Sequence, residues 1–267
     1  YPEGVKRLKS DLNVAVEHPE KMRNFLTKRM NRWVDQKENG YMSLKRWKEC
    51  KGELPDLRGK TVYVGFDLSA TNDLTSVAFV FPHEGKFYVK GHSFIPEDRM
   101  REKIQMDKQP YDSWADQGLI TPTPGSIIDY REVEAYILDT LSDLTPSYVE
   151  ICYDRWNAAH LAQRLENQGL TVVEIPQSIR HLSLPTKNFR EKVYDGKVVH
   201  ENDTVIYWAM SNAILKMDDQ ENIMISKKVS KDRIDPVAAI INAFARAMHD
   251  ENNINLNDYI LSEEFSL

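Results

Sequence analysis

Apolar positions fall into three textures along the chain. In the first fifty-five or so residues they recur at helical spacing within polar surroundings: "EHPEKMRNFLTKRMNRWV" sets Met22, Phe25, Leu26, Met30 and Trp33 three and four residues apart, one apolar helix face. A short second helix is predicted from Ser43, an N-cap residue, through "LKRWKEC". "KGELPDLRGK" breaks this texture with Gly and Pro. From Thr61 the texture becomes β-rich. "TVYVGFDLS", "TSVAFVFP" and "KFYVKGHSFI", joined by short turns, predict an antiparallel meander. Residues 97 to about 118 read as helix, "TPTPGS" as loop, and "DYREVEAYILDTL" as helix with Val133, Tyr136, Ile137 and Leu141 on one face. "SYVEICYD", "NAAHLAQRLENQG" stopped at Gly169, and "TVVEIP" alternate strand, helix, strand. The last third mixes helices with a hairpin from "AILKMDD" to "NIMISKK" and closes on "DPVAAIINAFARAMH", a helix with Pro236 in its first turn and Asp235 at or next to the N-cap. The tail from 251 to 267 is acidic and Asn-rich, and is expected to be loose.

Composition narrows the function classes. A chain of 267 residues, 41% hydrophobic and 28% charged, is ordinary for a globular protein, and no window approaches the ~18 apolar residues of a membrane helix. Two distant cysteines, Cys50 and Cys152, suggest neither a disulfide framework nor a zinc cage, and a reducing cytoplasm is expected. The formal charge of −6 argues against a uniformly basic nucleic-acid surface, although local clusters occur at Lys227, Lys228, Lys231 and Arg233 and at Arg180, Lys187, Arg190 and Lys192. The chain starts without Met or a signal-peptide core, and is expected to be part of something longer.

Two segments resemble phosphate-binding loops and fail as such. "GELPDLRGKT" has six residues where a phosphate loop has four between its glycines, and it runs into a strand instead of opening a helix. "GFDLSATND" is similar to the first phosphate loop of sugar kinases, but Ser69 stands at its glycine position, and the later part of the chain has too few glycines for a second loop and an adenosine site. No ATP site is expected in this chain.

Three carboxylates interrupt apolar elements: Asp67 at the end of the first strand, Asp154 at the end of "YVEICYD", and Asp235 at the start of the last long helix. A buried carboxylate is costly unless paired, hydrogen-bonded or bound to a cation. Singly, each has an ordinary explanation: a turn cap, a pair with Arg155, an N-cap. Jointly, the order of three meander strands, helix, strand, helix, strand and terminal helices is that of the ribonuclease H-like fold, a mixed sheet flanked by helices whose first and fourth strands lie side by side. That order brings Asp67 and Asp154 together, with Asp235 over the same edge. Clustered carboxylates repel, and hard divalent ions relieve the repulsion. Mg²⁺ or Mn²⁺ is the expected cofactor; two such ions roughly 4 Å apart can activate a water and stabilise a leaving 3′-oxygen.

The motifs "GFDLSATNDLTSVAFVFP", "YDRWNA" and "DRIDPVAAIINAFARA", in this order, resemble the nuclease domain of tailed-bacteriophage terminase large subunits, and "NFLTKRMNRWV" and "SLKRWKEC" look like the stretch that joins motor ATPase to nuclease in that family. The resemblance covers nearly the whole chain. It implies a divalent-metal-dependent endodeoxyribonuclease that cleaves concatemeric double-stranded viral DNA during genome packaging, with Asp67, Asp154 and Asp235 as catalytic metal ligands. Asp73 and Asp232 are further candidate ligands, each with an equal or better ordinary reading as a turn former and a surface charge. Arg155, Lys228 and Arg233 are candidate phosphate contacts. Expected partners are double-stranded DNA, the portal protein and the small terminase subunit, in the host cytoplasm during virion assembly. The implied division is a helical extension over 1–58 from an ATPase domain absent here, a nuclease domain over 59–250 and the tail. Two rivals stand beside this reading: another ribonuclease H-like nuclease such as a junction resolvase or transposase, and a non-catalytic docking module with structural acids.

Overall fold

The computed structural model describes residues 2–17, 19–31, 40–69, 74–230 and 233–250, the side chains of 2, 17, 19–23, 156–157 and 228–229 excepted. Helices α1 (Pro2–Glu17), α2 (Pro19–Lys28) and α3 (Leu44–Glu49) come first, then the strands β1 (Val62–Asp67), β2 (Thr75–His83) and β3 (Lys86–Pro96). Helices α4 (Glu97–Asp107) and α5 (Tyr111–Asp116) lead into β4 (Ile120–Thr123), and α6 (Tyr130–Leu144), β5 (Val149–Tyr153), α7 (Arg155–Asn167) and β6 (Thr171–Glu174) alternate after it. Next come α8 (Ile179–Tyr194), β7 (Val198–His200) and α9 (Thr204–Asn212), then the hairpin of β8 (Leu215–Met217) and β9 (Ile223–Ile225), α10 (Lys227–Ser230) and α11 (Asp235–Ala247). No helix among the described residues is long and apolar enough to cross a membrane.

The main sheet runs β4-β3-β2-β1-β5-β6, with β7 paired to β3 off this path. β1, β2 and β3 form the antiparallel meander, and β5 lies parallel to β1 with Phe66 opposite Tyr153. This is the mixed sheet of the ribonuclease H-like order. The strand beside β1 is the fifth and not the fourth, because Ile120–Thr123 adds a short strand parallel to β3. Those residues include the start of the expected "TPTPGS" loop: Pro122 reads as a breaker, yet β4 is the last strand of its side of the sheet, where one face of the ladder needs no donor.

Alternation along β1 assigns its side chains to two layers. Val62, Val64 and Phe66 face the core under α6 and α7 with Ile137, Leu141, Leu161 and Leu165. Tyr63 belongs to the opposite core, built from α11, α8 and α9 with Ile240, Phe244, Phe189 and Met210. Gly65 shares that face, and α11 lies so close to it that an added Cβ would stand 2.1 Å from the Ala239 carbonyl oxygen and 2.5 Å from the Ala243 amide nitrogen. Ala239, Ala243 and Ala247, one turn apart, are fully buried on the helix. The pairing of glycine with alanine sets the sheet-to-helix distance, and so the place of the α11 N-terminus over the end of β1.

The N-terminal stretch differs from the expected pattern at one point. Helix α2 ends at Lys28; Phe25 is buried and Leu26 partly so, but Met30 falls past the helix end and is exposed, while the Met22 side chain and Trp33 lie outside the described residues. Asn31 has φ +49°, a conformation that stops a helix. Further on, Tyr41, Met42, Trp47 and Cys50 join the α11-side core, Trp47 packing on Phe189 and stacked on His200 at 3.9 Å. Residues from Gly40 onward therefore share the core of the 59–250 stretch.

Candidate active site

The same alternation that sends Tyr63 and Gly65 toward α11 sends Asp67 there, and on β5 it does so for Glu150, Cys152 and, one residue past the strand, Asp154. Asp67 and Asp154 lie one register step beyond the last paired residues, Phe66 and Tyr153. Asp235 is the first residue of α11, with Pro236 next to it fixing the first turn. Strand ends and helix start thus converge at one edge of the sheet. Asp67, Asp154, Gln177, Lys216, Ser226 and Lys227 line a single cavity there of about 390 Å³, one wall of which is the β8–β9 hairpin.

Asp67 and Asp235 are buried, at 7% and 1% exposure, and share a cation: the Lys227 ammonium sits 2.8 Å from Asp67 Oδ2 and donates to Asp235 Oδ1 at 2.7 Å. The contact with Asp67 is an ion pair off hydrogen-bond alignment, and Asp67 Oδ2 accepts no aligned hydrogen bond from the described residues. The Asp67 pKa is raised to about 7: burial lifts it most, Lys227 opposes that, and the charges of Asp235 and Asp154 add to the rise. Burial works against the charged form of Lys227, yet Asp235 and Asp67 together hold its pKa above the ordinary lysine value. Asp154 is less enclosed than the other two.

A second ring of residues fixes the pieces in place. Asn242 of α11 donates from Nδ2 to the Phe66 carbonyl at 3.2 Å, and its Oδ1 accepts from Gln177 Nε2 at 3.0 Å. Gln177 also donates to the Ile175 carbonyl at 3.0 Å, so β1, the segment after β6 and α11 are tied by one amide chain. Before α11, Arg233 donates to Asp107 at 3.2 Å, which also accepts from the Tyr111 hydroxyl at 2.7 Å, while the Arg233 carbonyl accepts from Asn212 at 3.3 Å.

The candidate residues thus fare differently. Asp67, Asp154 and the neighbourhood of Asp235 meet at the cavity, but among the described residues no three Asp, Glu, His or Cys side chains gather closely enough to enclose an ion, and Lys227 stands between two of the acids. Arg155 is exposed at the α7 start, 4.0 Å from Glu174. Arg233 departs from the expected phosphate contact: its side chain is 15% exposed and turned to Asp107, a structural anchor for the α11 start. Asp73, Asp232 and the Lys228 side chain lie outside the described residues. Lys227 reads in sequence as one charge in a solvated basic run, and no spacing rule marks Lys216, Gln177 or Asn242. An Asn within an otherwise apolar helix face was the one available signal for Asn242.

The donor set suits a hard divalent cation: oxygen ligands only, two of them deeply buried, with a positive charge already shared between them. The family model described as terminase large subunit, endonuclease domain matches residues 1–251. The terminase large subunit of Enterobacteria phage HK97 is 28% identical over 203 residues, 75% of this chain and 40% of that protein. Protein YmfN of Escherichia coli K12 is 26% identical over 254 residues, 89% of this chain and 55% of that protein. The chain spans about half, or less, of the length of these relatives. In three dimensions it is similar to the HK97 large terminase, with a TM-score of 0.69 at 27% identity over 77% of this chain and 43% of that one. The large terminase nuclease of thermophilic phage G20c, at 13% identity, TM-score 0.51 and coverage of 78% of this chain and 98% of that one, shares the fold. Across nearly its whole length, this chain belongs to the family of terminase large subunit endonuclease domains.

Proposed function

We propose that the chain is the endonuclease of a viral DNA-packaging machine, hydrolysing phosphodiester bonds of concatemeric double-stranded DNA with Mg²⁺ or Mn²⁺, two ions in the working state, held by Asp67, Asp154 and Asp235. The observation that carries this is the pair of buried carboxylates, Asp67 and Asp235, sharing one cation at the head of a cavity that Asp154 also lines. Divalent ions in such a site supply activation of the attacking water and stabilisation of the leaving 3′-oxygen. The protein's part is positional. The central strand holds Asp67 and the α11 start holds Asp235, each on a rigid element, with the Asn242–Gln177 chain behind them. Lys216 at the cavity wall and exposed Arg155, next in sequence to Asp154, would contact phosphates, contacts that orient DNA without reading its sequence. Portal and small-subunit partners follow from the same reading.

Supercoiled plasmid incubated with the chain and Mn²⁺ tests it. Asp67→Ala and Asp154→Ala should each abolish nicking while leaving a cooperative melt. Nicking that survives either substitution unchanged would sink the assignment. Cleavage confined to four-way junctions would favour the resolvase rival instead.

A further inference from the structure

The Asp67–Lys227–Asp235 bridge has an asymmetry that the nuclease reading does not need. Both carboxylate side chains are held in the interior, at 9% and 1% exposure, whereas the lysine side chain between them is 46% exposed. The acids are fixed by a central strand and a long helix; Lys227 opens a four-residue helix on the wall of the cavity, at the end of a flexible four-carbon stem. Two buried carboxylates that are both ionised repel each other and are poorly solvated, so the pair needs either a positive charge beside it or a proton on one of its oxygens. The ammonium meets that requirement with distances of 2.7 and 2.8 Å. It also blocks the approach of any other cation to the same two oxygens.

We propose that Lys227 is a built-in counter-ion occupying the place where a divalent cation binds Asp67 and Asp235, so that metal loading is an exchange: the ion enters as the ammonium swings out into the cavity. The inference rests on the reading of Asp67 and Asp235 as metal ligands. It accounts for the bridged geometry, in which no three acids enclose an ion among the described residues. It gives the fold a stable metal-free form and sets metal affinity below what the acids alone would provide. The exchange is balanced in kind: one ammonium leaves two carboxylates, one divalent ion arrives, and no bond to carbon or phosphorus changes.

Three measurements on the full chain test this. Calorimetric titration with Mn²⁺ should show Lys227→Gln binding roughly tenfold tighter or more than the unsubstituted chain, the order expected from removing one close competing charge. In chelator Lys227→Gln should melt several degrees below the unsubstituted chain, and Mn²⁺ should restore it; Lys227→Arg, which keeps the charge, should stay near the unsubstituted chain in both respects. The third needs no substitution: an amine-reactive ester, read by mass spectrometry, should label Lys227 slowly in chelator and several-fold faster with Mn²⁺. That readout remains informative if Lys227→Gln does not fold. Equal or weaker Mn²⁺ binding by Lys227→Gln, an unchanged melt in chelator, or labelling that Mn²⁺ does not accelerate would overturn the exchange while leaving metal binding in place. If neither chain binds Mn²⁺ at all, the metal assignment itself fails and the exchange with it.

Discussion

Asn242→Ala isolates the amide chain behind the site. Asn242 is 3% exposed, and its side chain makes two hydrogen bonds, one to the carbonyl of Phe66, the residue before Asp67, and one from Gln177. Removing it loses two bonds worth about 1 kcal/mol each and leaves a carbonyl oxygen of fully buried Phe66 short of a partner, a further penalty of about 1–3 kcal/mol. The Gln177 amide, on an exposed residue, turns to water and recovers part of its share. The net expectation is a destabilisation of roughly 2–4 kcal/mol. For a chain of this size that is a melting-point drop of roughly 5–15 °C. Gln177→Ala should cost about 1 kcal/mol, and because the two residues share a bond the double variant should lie close to Asn242→Ala alone, not at the sum. Urea unfolding of the four chains, followed by circular dichroism, gives the comparison directly. Should Asn242→Ala fall within about 0.5 kcal/mol of the unsubstituted chain, or the two changes add fully, the amide chain is not what holds β1 to α11.

Other expectations are as direct. Gly65→Ala places a Cβ 2.1 Å from the Ala239 carbonyl oxygen, and neither backbone can give way, so the sheet and α11 must separate at a penalty of about 3 kcal/mol or more; a normal melt would show the contact to be slack. Asp203 caps α9 by accepting from Val205 at 2.7 Å and Ile206 at 3.1 Å, while burial lifts its pKa to about 6. An acid whose folded pKa lies above its unfolded value, about 3.9, binds its proton more tightly when folded, so stability falls as pH rises from about 4 to 6 and is constant above. Asp203→Asn, which keeps an acceptor at the cap, should therefore be more stable than the unsubstituted chain at pH 8, by up to about 3 kcal/mol, and lose that advantage near pH 4; equal effects at both pH values in denaturant titrations would refute it.

What the sequence made legible follows from how local each signal is. The meander, the α6–β5–α7–β6 alternation and α11 come from hydrophobic period and turn chemistry, which act over a few residues, and they appear where expected. The short β4 is not legible in the sequence, because a four-residue edge strand with a proline carries no such period: its pairing to β3 is decided by a partner 27 residues earlier. The overlong α2 has the opposite origin. Apolar spacing continues through Trp33, but the helix ends at Lys28 and the chain turns left-handed at Asn31.

At the site the same division separates acids from everything else. A carboxylate that ends a buried strand is conspicuous in one dimension, since the apolar run before it sets the expectation it violates, and strand parity then places Asp67 on the α11 face. Lys227, by contrast, sits in "SKKVSKDR", where a lysine is unremarkable; its meaning depends wholly on two oxygens, 160 residues upstream and eight downstream, that only the fold brings within 2.8 Å. Arg233 stands in the same run and has the reverse fate, drawn inward to Asp107. Two positive charges of one run, alike in sequence, thus end as a half-exposed bridge between acids and a partly buried anchor of the loop before α11. Charge runs therefore predict that cations will be near the acids, while the separation of roles among them is a property of packing, and the proposed competition between Lys227 and an entering ion is where that packing would bear on the chemistry.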